Sequence, residues 1–238
     1  MSLIAVDNLK KQYHAGDETV EALGGVSLTI DAGEFVTIMG QSGSGKSTLL
    51  SVLGGMNHPT SGSVTIADID IYSLSVEKMA DFRASTLGFV FQSFHLIPYL
   101  TAMENVMLPL AITSLKKGEK VAASQEALAR VGLAGKADRL PNQLSGGEQE
   151  RVAIARAIVN KPRIVMADEP TGNLDSKNSE EIMALFRSLN DAGQTVVMVT
   201  HNPENCVYTD RTIVLRDGRI VDEERILTPQ EACQALVA

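Results

Sequence analysis

The chain has 238 residues, 44% of them hydrophobic and 21% charged, a balance that supports a buried core and excludes a disordered chain. Lysine plus arginine number 21 against 29 aspartates and glutamates, a formal net charge of −8, which argues against a general nucleic-acid binder because that function needs a basic face. No run approaches the roughly 18 apolar residues that span a bilayer. Residues 1–13 carry Asp7 and lysines where a signal peptide needs an apolar stretch. Cys206 and Cys233 form neither a disulfide framework nor a metal spacing. The expectation is a cytosolic chain with two free thiols.

Short apolar alternations predict strands over Leu3–Leu9, Val20–Leu23 and Val26–Ile30, the last closed by the turn signal Asp31-Ala-Gly33. Phe35–Met39 is a short continuous apolar run, read as a buried parallel strand. It feeds a Gly/Ser loop and a predicted helix over Lys46–Leu53. From about Ser75 to Ile158 the periodicity is mostly helical, with helices over Val76–Ala84, Ala102–Ala111, Lys117–Val131 and Gly147–Ile158. A strand at Ile164–Ala167, a helix at Ser179–Ala192 and a strand at Thr195–Val199 follow. Arg211–Val221 reads as a hairpin about Asp217-Gly218. A short helix is expected in the tail over residues 226–238. The layout is an α/β sheet core interrupted by a helical insertion.

Three segments carry chemistry. Gly40, Gln41, Ser42, Gly43, Ser44, Gly45, Lys46 and Ser47, followed by Thr48, match the spacing G-x-x-x-x-G-K-[ST]. Glycines let successive N–H groups face phosphate oxygens, Lys46 reaches the terminal phosphates, and the Ser47 hydroxyl is placed for Mg²⁺. The strand before and the helix after are the context this chemistry needs; the alternative is a flexible Gly/Ser loop. Asp168-Glu169 ends the strand after Ile164, where open α/β sheets bind ligands. Asp168 would hold Mg²⁺ and Glu169 would polarise water; taken alone, the pair reads rather as a solvated turn. Ser145, Gly146, Gly147 and Glu148 begin a helix. They form an anion site, a capping box with Glu148 reaching back, or both.

Taken in this order, the phosphate loop, Leu144-Ser-Gly-Gly-Glu-Gln149 and Asp168-Glu169 resemble the nucleotide-binding subunit of an ATP-binding cassette (ABC) transporter over about Leu3 to Glu224. Gln92, in Phe89-Val-Phe-Gln-Ser-Phe, resembles the family's Q-loop glutamine. Asn173-Leu174-Asp175 resembles its D-loop, His201 its switch histidine, and Tyr13 the aromatic that stacks on adenine. Without the resemblance, Tyr13 reads as packing, His201 as a helix-cap or surface residue, and Gln92 as a surface residue. His14, His58 and His95 read as ordinary.

The resemblance implies an ABC ATPase (P-loop NTPase) fold: an N-terminal antiparallel β subdomain, a parallel sheet core and an inserted helical subdomain. It implies one ATP-binding domain over residues 1–225, with 1–84 and 159–225 as catalytic core and 85–158 as helical subdomain. It implies ATP and Mg²⁺ held by Ser47, Gln92 and Asp168, catalysis by Glu169, His201 and Lys46, and ATP bound between two copies, with Ser145–Gly147 and Asp175 facing the other copy's nucleotide. Residues 91–110 and 167–176 resemble the MacB/LolD/FtsE branch, whose members act on few-span permeases of MacB, LolC or FtsX type from the cytoplasmic face of the inner membrane. That branch includes lipoprotein release, drug or peptide export, and FtsE-like signalling without cargo. A soluble assembly ATPase, such as one serving iron–sulfur clusters, is the alternative without a membrane partner. Length and charge disfavour a DNA-repair ATPase, and the single cassette disfavours a translation factor. Phe91, Phe94, Leu96, Ile97, Tyr99 and Leu100 are read either as a partner-binding apolar patch or as subdomain core. Glu150-Arg151 departs from the Gln-Arg or Arg-Gln expected after the signature.

Overall fold

The computed structural model describes residues 2–16 and 18–224. The tail expected to be helical, residues 226–238, and Cys233 lie outside the described residues. The chain divides into two compact units, one drawn from Met1–Arg83 and Leu189–Ala238, the other from Ala84–Ser188.

In the first unit, β1 (Ser2–Ala15) and β2 (Glu18–Asp31) are longer than the sequence patterns suggest. The two predicted segments of β2 are one strand that bends at Gly24-Gly25, with Gly25 at φ 100°. Register shifts between β1 and β2 absorb the break in alternation, one of them between Val6 and Leu9, beside Asn8 at φ 44°. Ile4, Val6, Leu9, Leu23, Val26, Leu28 and Ile30 are buried. With β4 (Ser61–Ile66) and β5 (Ile69–Asp70) these strands form an antiparallel sheet in the order β2-β1-β4-β5. β4 is half serine and threonine, so no apolar run announces it.

The same unit holds β3 (Phe35–Met39), every residue of it buried. It runs parallel to β8 (Thr195–Thr200) on one side and β9 (Arg211–Arg216) on the other. A strand buried on both faces has no polar side to alternate with, hence its continuous apolar run. The helix after β3 is α1 (Lys46–Leu53). β10 (Arg219–Glu224) returns antiparallel to β9 through Asp217 and Gly218, at φ 46° and 72°, the two positive-φ residues a tight hairpin needs.

α2 (Val76–Thr86) leads into the second unit, which begins with β6 (Leu87–Phe91). β6 corrects the helical reading of this stretch: five residues too short for a helix pair in parallel with β7 (Ile164–Asp168). That partner lies far along the chain, so local periodicity does not reveal it. At Gly88 a Cβ would strike the Ala157 carbonyl, so glycine lets the C-terminal end of the helix over Gly146–Ile158 pack directly on the strand. α3 (Ala102–Met107) is shorter than expected because Pro109 lacks an N–H and the chain tightens to a 3₁₀ turn over Leu108–Ile112. α4 (Lys117–Arg130), α5 (Gly146–Ile158) and α6 (Ser176–Asp191) complete the unit. The sequence reading closes the helical part at residue 158, whereas this compact unit continues to Ser188. The reason is pairing: β7 is zipped to β6, and α6 is tied to α5 by the Arg151–Glu181 ion pair at 2.9 Å.

The Asp217-Gly218 turn also braces its own unit. The Gly218 N–H donates to the Ser44 carbonyl at 3.0 Å, and the Gly218 carbonyl accepts from Gly24 N–H at 2.9 Å. A Cβ there would lie 3.0 Å from the Leu23 Cα, against backbone that cannot yield. Gly218→Ala is expected to destabilise the chain by about 1–3 kcal/mol, from positive φ and the backbone clash together, read as a drop in thermal midpoint. An unchanged midpoint would show that the turn does not brace the loop.

Candidate functional site

The first unit places the phosphate loop at the C-terminal end of β3. Gly40 admits no Cβ because the Leu215 carbonyl and the Ser44 side chain occupy that space. Gly45 is at φ 101° and faces the Ala22 carbonyl; Gly43 is at φ 81°. The loop is therefore a tightly supported backbone turn rather than a slack Gly/Ser segment. α1 starts from Gly45 without a side-chain cap and without an acidic residue in its first turn. Its positive end is thus left for an external anion. Lys46 is buried, its ammonium donating to the Gly40 and Gln41 carbonyls at 2.9 and 3.0 Å. Ser47 and Thr48 continue the first turn.

His201 belongs to the same unit. β3 and β8 pair in parallel with Met39 opposite Thr200. Gly40 and His201 therefore leave two neighbouring strands at the same level, where parallel sheets present ligand-binding loops. His201 is exposed, and Asn202 behind it donates its N–H to the Thr200 hydroxyl at 3.1 Å. Tyr13 stands on β1, 40% exposed, with the Lys11 ammonium over its ring at 4.9 Å.

The second unit repeats the arrangement. β6 and β7 pair with Phe91 opposite Asp168. Gln92 and Glu169 are the next residues, so they too emerge side by side. Glu169 is at φ 49°, an unusual backbone for a non-glycine residue. Gly172 packs on Gln92, where a Cβ would approach the amide nitrogen to 2.8 Å. Asn173 donates to the Gln92 carbonyl at 2.8 Å. The Q-loop and the segment after Glu169 are thus bonded to each other.

Ser145 caps α5, and both halves of the capping box are present: Glu148 N–H to Ser145 Oγ at 3.3 Å, and Ser145 N–H to Glu148 Oε2 at 2.9 Å. Lys136 pairs with Glu148 at 2.7 Å and, together with the Ser145 N–H, holds that carboxyl below its usual range. Asp175 accepts from the Asn178 N–H at 2.8 Å and the Asn178 amide at 2.7 Å, bonds that lower its pKa. Asn178 in turn fills the space a Cβ on Gly147 would need. Asn178 therefore joins Asp175 to Gly147. Sequence reasoning did not select it, although Asp175 just before a helix is an N-cap signal that accepts from the N–H three residues on.

Arg156 is a second residue that bonds to the candidate segments and was not selected from sequence. Its guanidinium donates to the Phe94 and His95 carbonyls at 2.7 and 2.5 Å. These two residues sit at positive φ, 59° and 48°, so Arg156 holds the Q-loop in a costly conformation. Of the apolar residues Phe91–Leu100, none is buried, and Ile97 and Tyr99 are 41% and 87% exposed. They do not form the core of this unit.

Comparison with known proteins agrees with the geometry. The sequence pattern of the family described as ABC transporter matches residues 23–172. The chain belongs to the ABC transporter family. It is 48% identical to the ABC transporter ATP-binding protein YvrO of Bacillus subtilis, over 94% of this chain and 97% of that protein. It is 50% identical to the macrolide export ATP-binding/permease protein MacB of Chlorobium phaeobacteroides, over 94% of this chain but 34% of that protein. The chain thus spans about a third of that MacB relative and nearly all of YvrO. Among solved structures it matches the dimeric, post-hydrolysis ATP-binding cassette MJ0796 bound to ADP and Pi, with a TM-score of 0.86, 45% identity, and coverage of 94% and 99%. The chain is an ABC-type ATPase, the ATP-binding subunit of a transporter, close to MacB-type ATPases.

Glu150, on the signature helix, is fully buried with neither carboxylate oxygen hydrogen-bonded. Burial pushes its pKa up to about 9, and the Arg156 guanidinium pulls it only partly back. Glu150 therefore keeps its proton at neutral pH. A folded-state pKa above the unfolded value of 4.5 gives stability that is complete below about pH 4.5 and lost as pH rises toward 9. Glu150→Gln, which does not titrate, is expected to flatten the fall in thermal midpoint between pH 5 and pH 9. The two proteins should diverge by at most about 4 kcal/mol at pH 7.5. Parallel pH curves would refute the buried neutral acid.

Proposed function

We propose that two copies of this chain bind ATP between them and drive a separate membrane permease. The reading is carried by one observation: each of two parallel strand pairs delivers its two candidate residues at one level, Gly40 with His201 and Gln92 with Glu169. In this proposal the phosphate loop and Lys46 cradle the phosphates, and Tyr13 stacks on the base. Ser145 to Gly147 of the partner subunit close over the γ-phosphate from the other side. Glu169 orients and deprotonates the attacking water, and His201 holds the γ-phosphate and senses Asp175 of the partner subunit.

The hydroxyl of Ser47, the amide oxygen of Gln92 and the carboxylate of Asp168 are hard oxygen donors suited to Mg²⁺. They would hold the ion, which when bound supplies charge neutralisation on the phosphates.

No helix among the described residues is long and apolar enough to cross a membrane. The branch resemblance of residues 91–110 and 167–176 assigns the work of the cycle to a permease of MacB, LolC or FtsX type, with this chain on the cytoplasmic face of the inner membrane. The exposed segment Ile97–Tyr99 beside the Q-loop is the proposed contact. Relatives named for macrolide export favour drug export over the peptide export or lipoprotein release that the branch also includes.

Glu169→Gln tests the chemistry. With ATP and Mg²⁺ it should hydrolyse about 10²–10⁴-fold more slowly and migrate as a dimer. Normal turnover would refute the role of Glu169. Capture of this variant from detergent-solubilised membranes should recover an integral membrane protein with few spans. Recovery of a soluble partner alone would favour the assembly-ATPase alternative.

A further inference from the structure

A hydrogen-bonded chain runs from the end of the phosphate helix to the Tyr13 ring. The Tyr72 hydroxyl shares its one proton between the carbonyls of Val52, in the last turn of α1, and Asn57, at 2.5 and 2.8 Å. Burial pushes the Tyr72 pKa upward, which keeps that proton in place. From the other side of the same residue, the Asn57 amide donates to the Tyr13 hydroxyl at 2.6 Å. Lys11 lies over the Tyr13 ring and donates to the His58 carbonyl at 2.7 Å, and the His58 ring meets Tyr72 edge-on at 5.1 Å. The main chain is pinned at the same place, with Gln12 N–H to Thr60 Oγ1 at 2.9 Å and Thr60 N–H to the Lys10 carbonyl at 2.8 Å.

A tyrosine ring on a strand, 40% exposed, has two free torsions. Here its hydroxyl is held by Asn57 and one face is covered by Lys11, so both its tilt and its distance from α1 are set. The phosphate loop leads directly into that helix. The span between phosphate site and aromatic ring is therefore defined by side chains rather than left to the flexibility of β1. We propose that Asn57 is a positioning residue for the nucleobase. It fixes the Tyr13 ring, through Tyr72, at a set distance from the phosphate helix, so that the ring's remaining face receives a base whose triphosphate is already seated. The proposal rests on the reading of Tyr13 as the stacking ring.

The test compares ATP with inorganic tripolyphosphate, which has the same anionic character and no base. Dissociation constants are measured by calorimetry on the full chain with Mg²⁺. Asn57→Ala should weaken ATP about 3–10-fold, the effect of one lost hydrogen bond, and leave tripolyphosphate within about 2-fold. Tyr13→Phe, which keeps the ring and loses the hydroxyl, should match Asn57→Ala, and the double variant should be no weaker than either. Asn57→Asp, which can accept from the tyrosine hydroxyl, should restore ATP affinity. Equal weakening of both ligands by Asn57→Ala would mean a general structural role and overturn the proposal. Unchanged ATP affinity in Asn57→Ala, with loss in Tyr13→Ala, would overturn it while leaving Tyr13 as the stacking ring. Unchanged ATP affinity in Tyr13→Ala would overturn the stacking reading and the proposal with it.

Discussion

Parallel strand pairing in register is the constraint on which the site depends. In a parallel pair the carboxyl ends of both strands lie at one edge, so the residues that follow them emerge together. With Met39 opposite Thr200, a loop and a histidine 161 positions apart in the chain become neighbours. With Phe91 opposite Asp168, a glutamine and a glutamate do the same. A slip of one residue in either pair would turn the slipped strand's side chains to the opposite face and offset the loops. Burial of β3 and β8 on both faces is what makes such a slip costly.

Local backbone geometry then does what side chains could not. Gly40 and Gly45 allow carbonyls and side chains of other segments to sit where a Cβ would project. The loop is supported from outside by Gly218 and Leu215, and from within by Ser44 and Lys46. In the second unit, strained residues at Glu169, Phe94 and His95 are held by bonds from Asn173 to Gln92 and from Arg156 to the Q-loop carbonyls. Strain of this kind persists only where surrounding structure overdetermines it.

The two helix N-termini illustrate how similar sequences reach different local solutions. α1 begins at a glycine with no side-chain cap, while α5 begins with a complete capping box. For α5, the structural reading of Ser145 and Glu148 is realised in this chain, and phosphate recognition by the same turn is an additional role assigned to it. The two are compatible because a hydroxyl that accepts from one N–H can still donate its own proton.

Much of this was legible in the residues. The phosphate loop, its buried strand and its helix are consecutive over Phe35–Leu53, where local spacing and φ requirements suffice. The Asp217-Gly218 hairpin is equally local, since two adjacent residues with positive φ define the turn. The order of motifs, Gly40–Ser47, Ser145–Gly147 and Asp168-Glu169, carried the family. Tertiary structure alone decided the rest. β6 is too short to betray its type, and its pairing partner is more than seventy residues away. Asn57, Arg156 and Asn178 are ordinary polar residues until the fold brings Tyr13, the Q-loop and Gly147 within hydrogen-bonding or packing distance. Residue type and spacing determine which chemistry a segment can perform; pairing between distant strands, which no local pattern encodes, determines which segments stand beside one another.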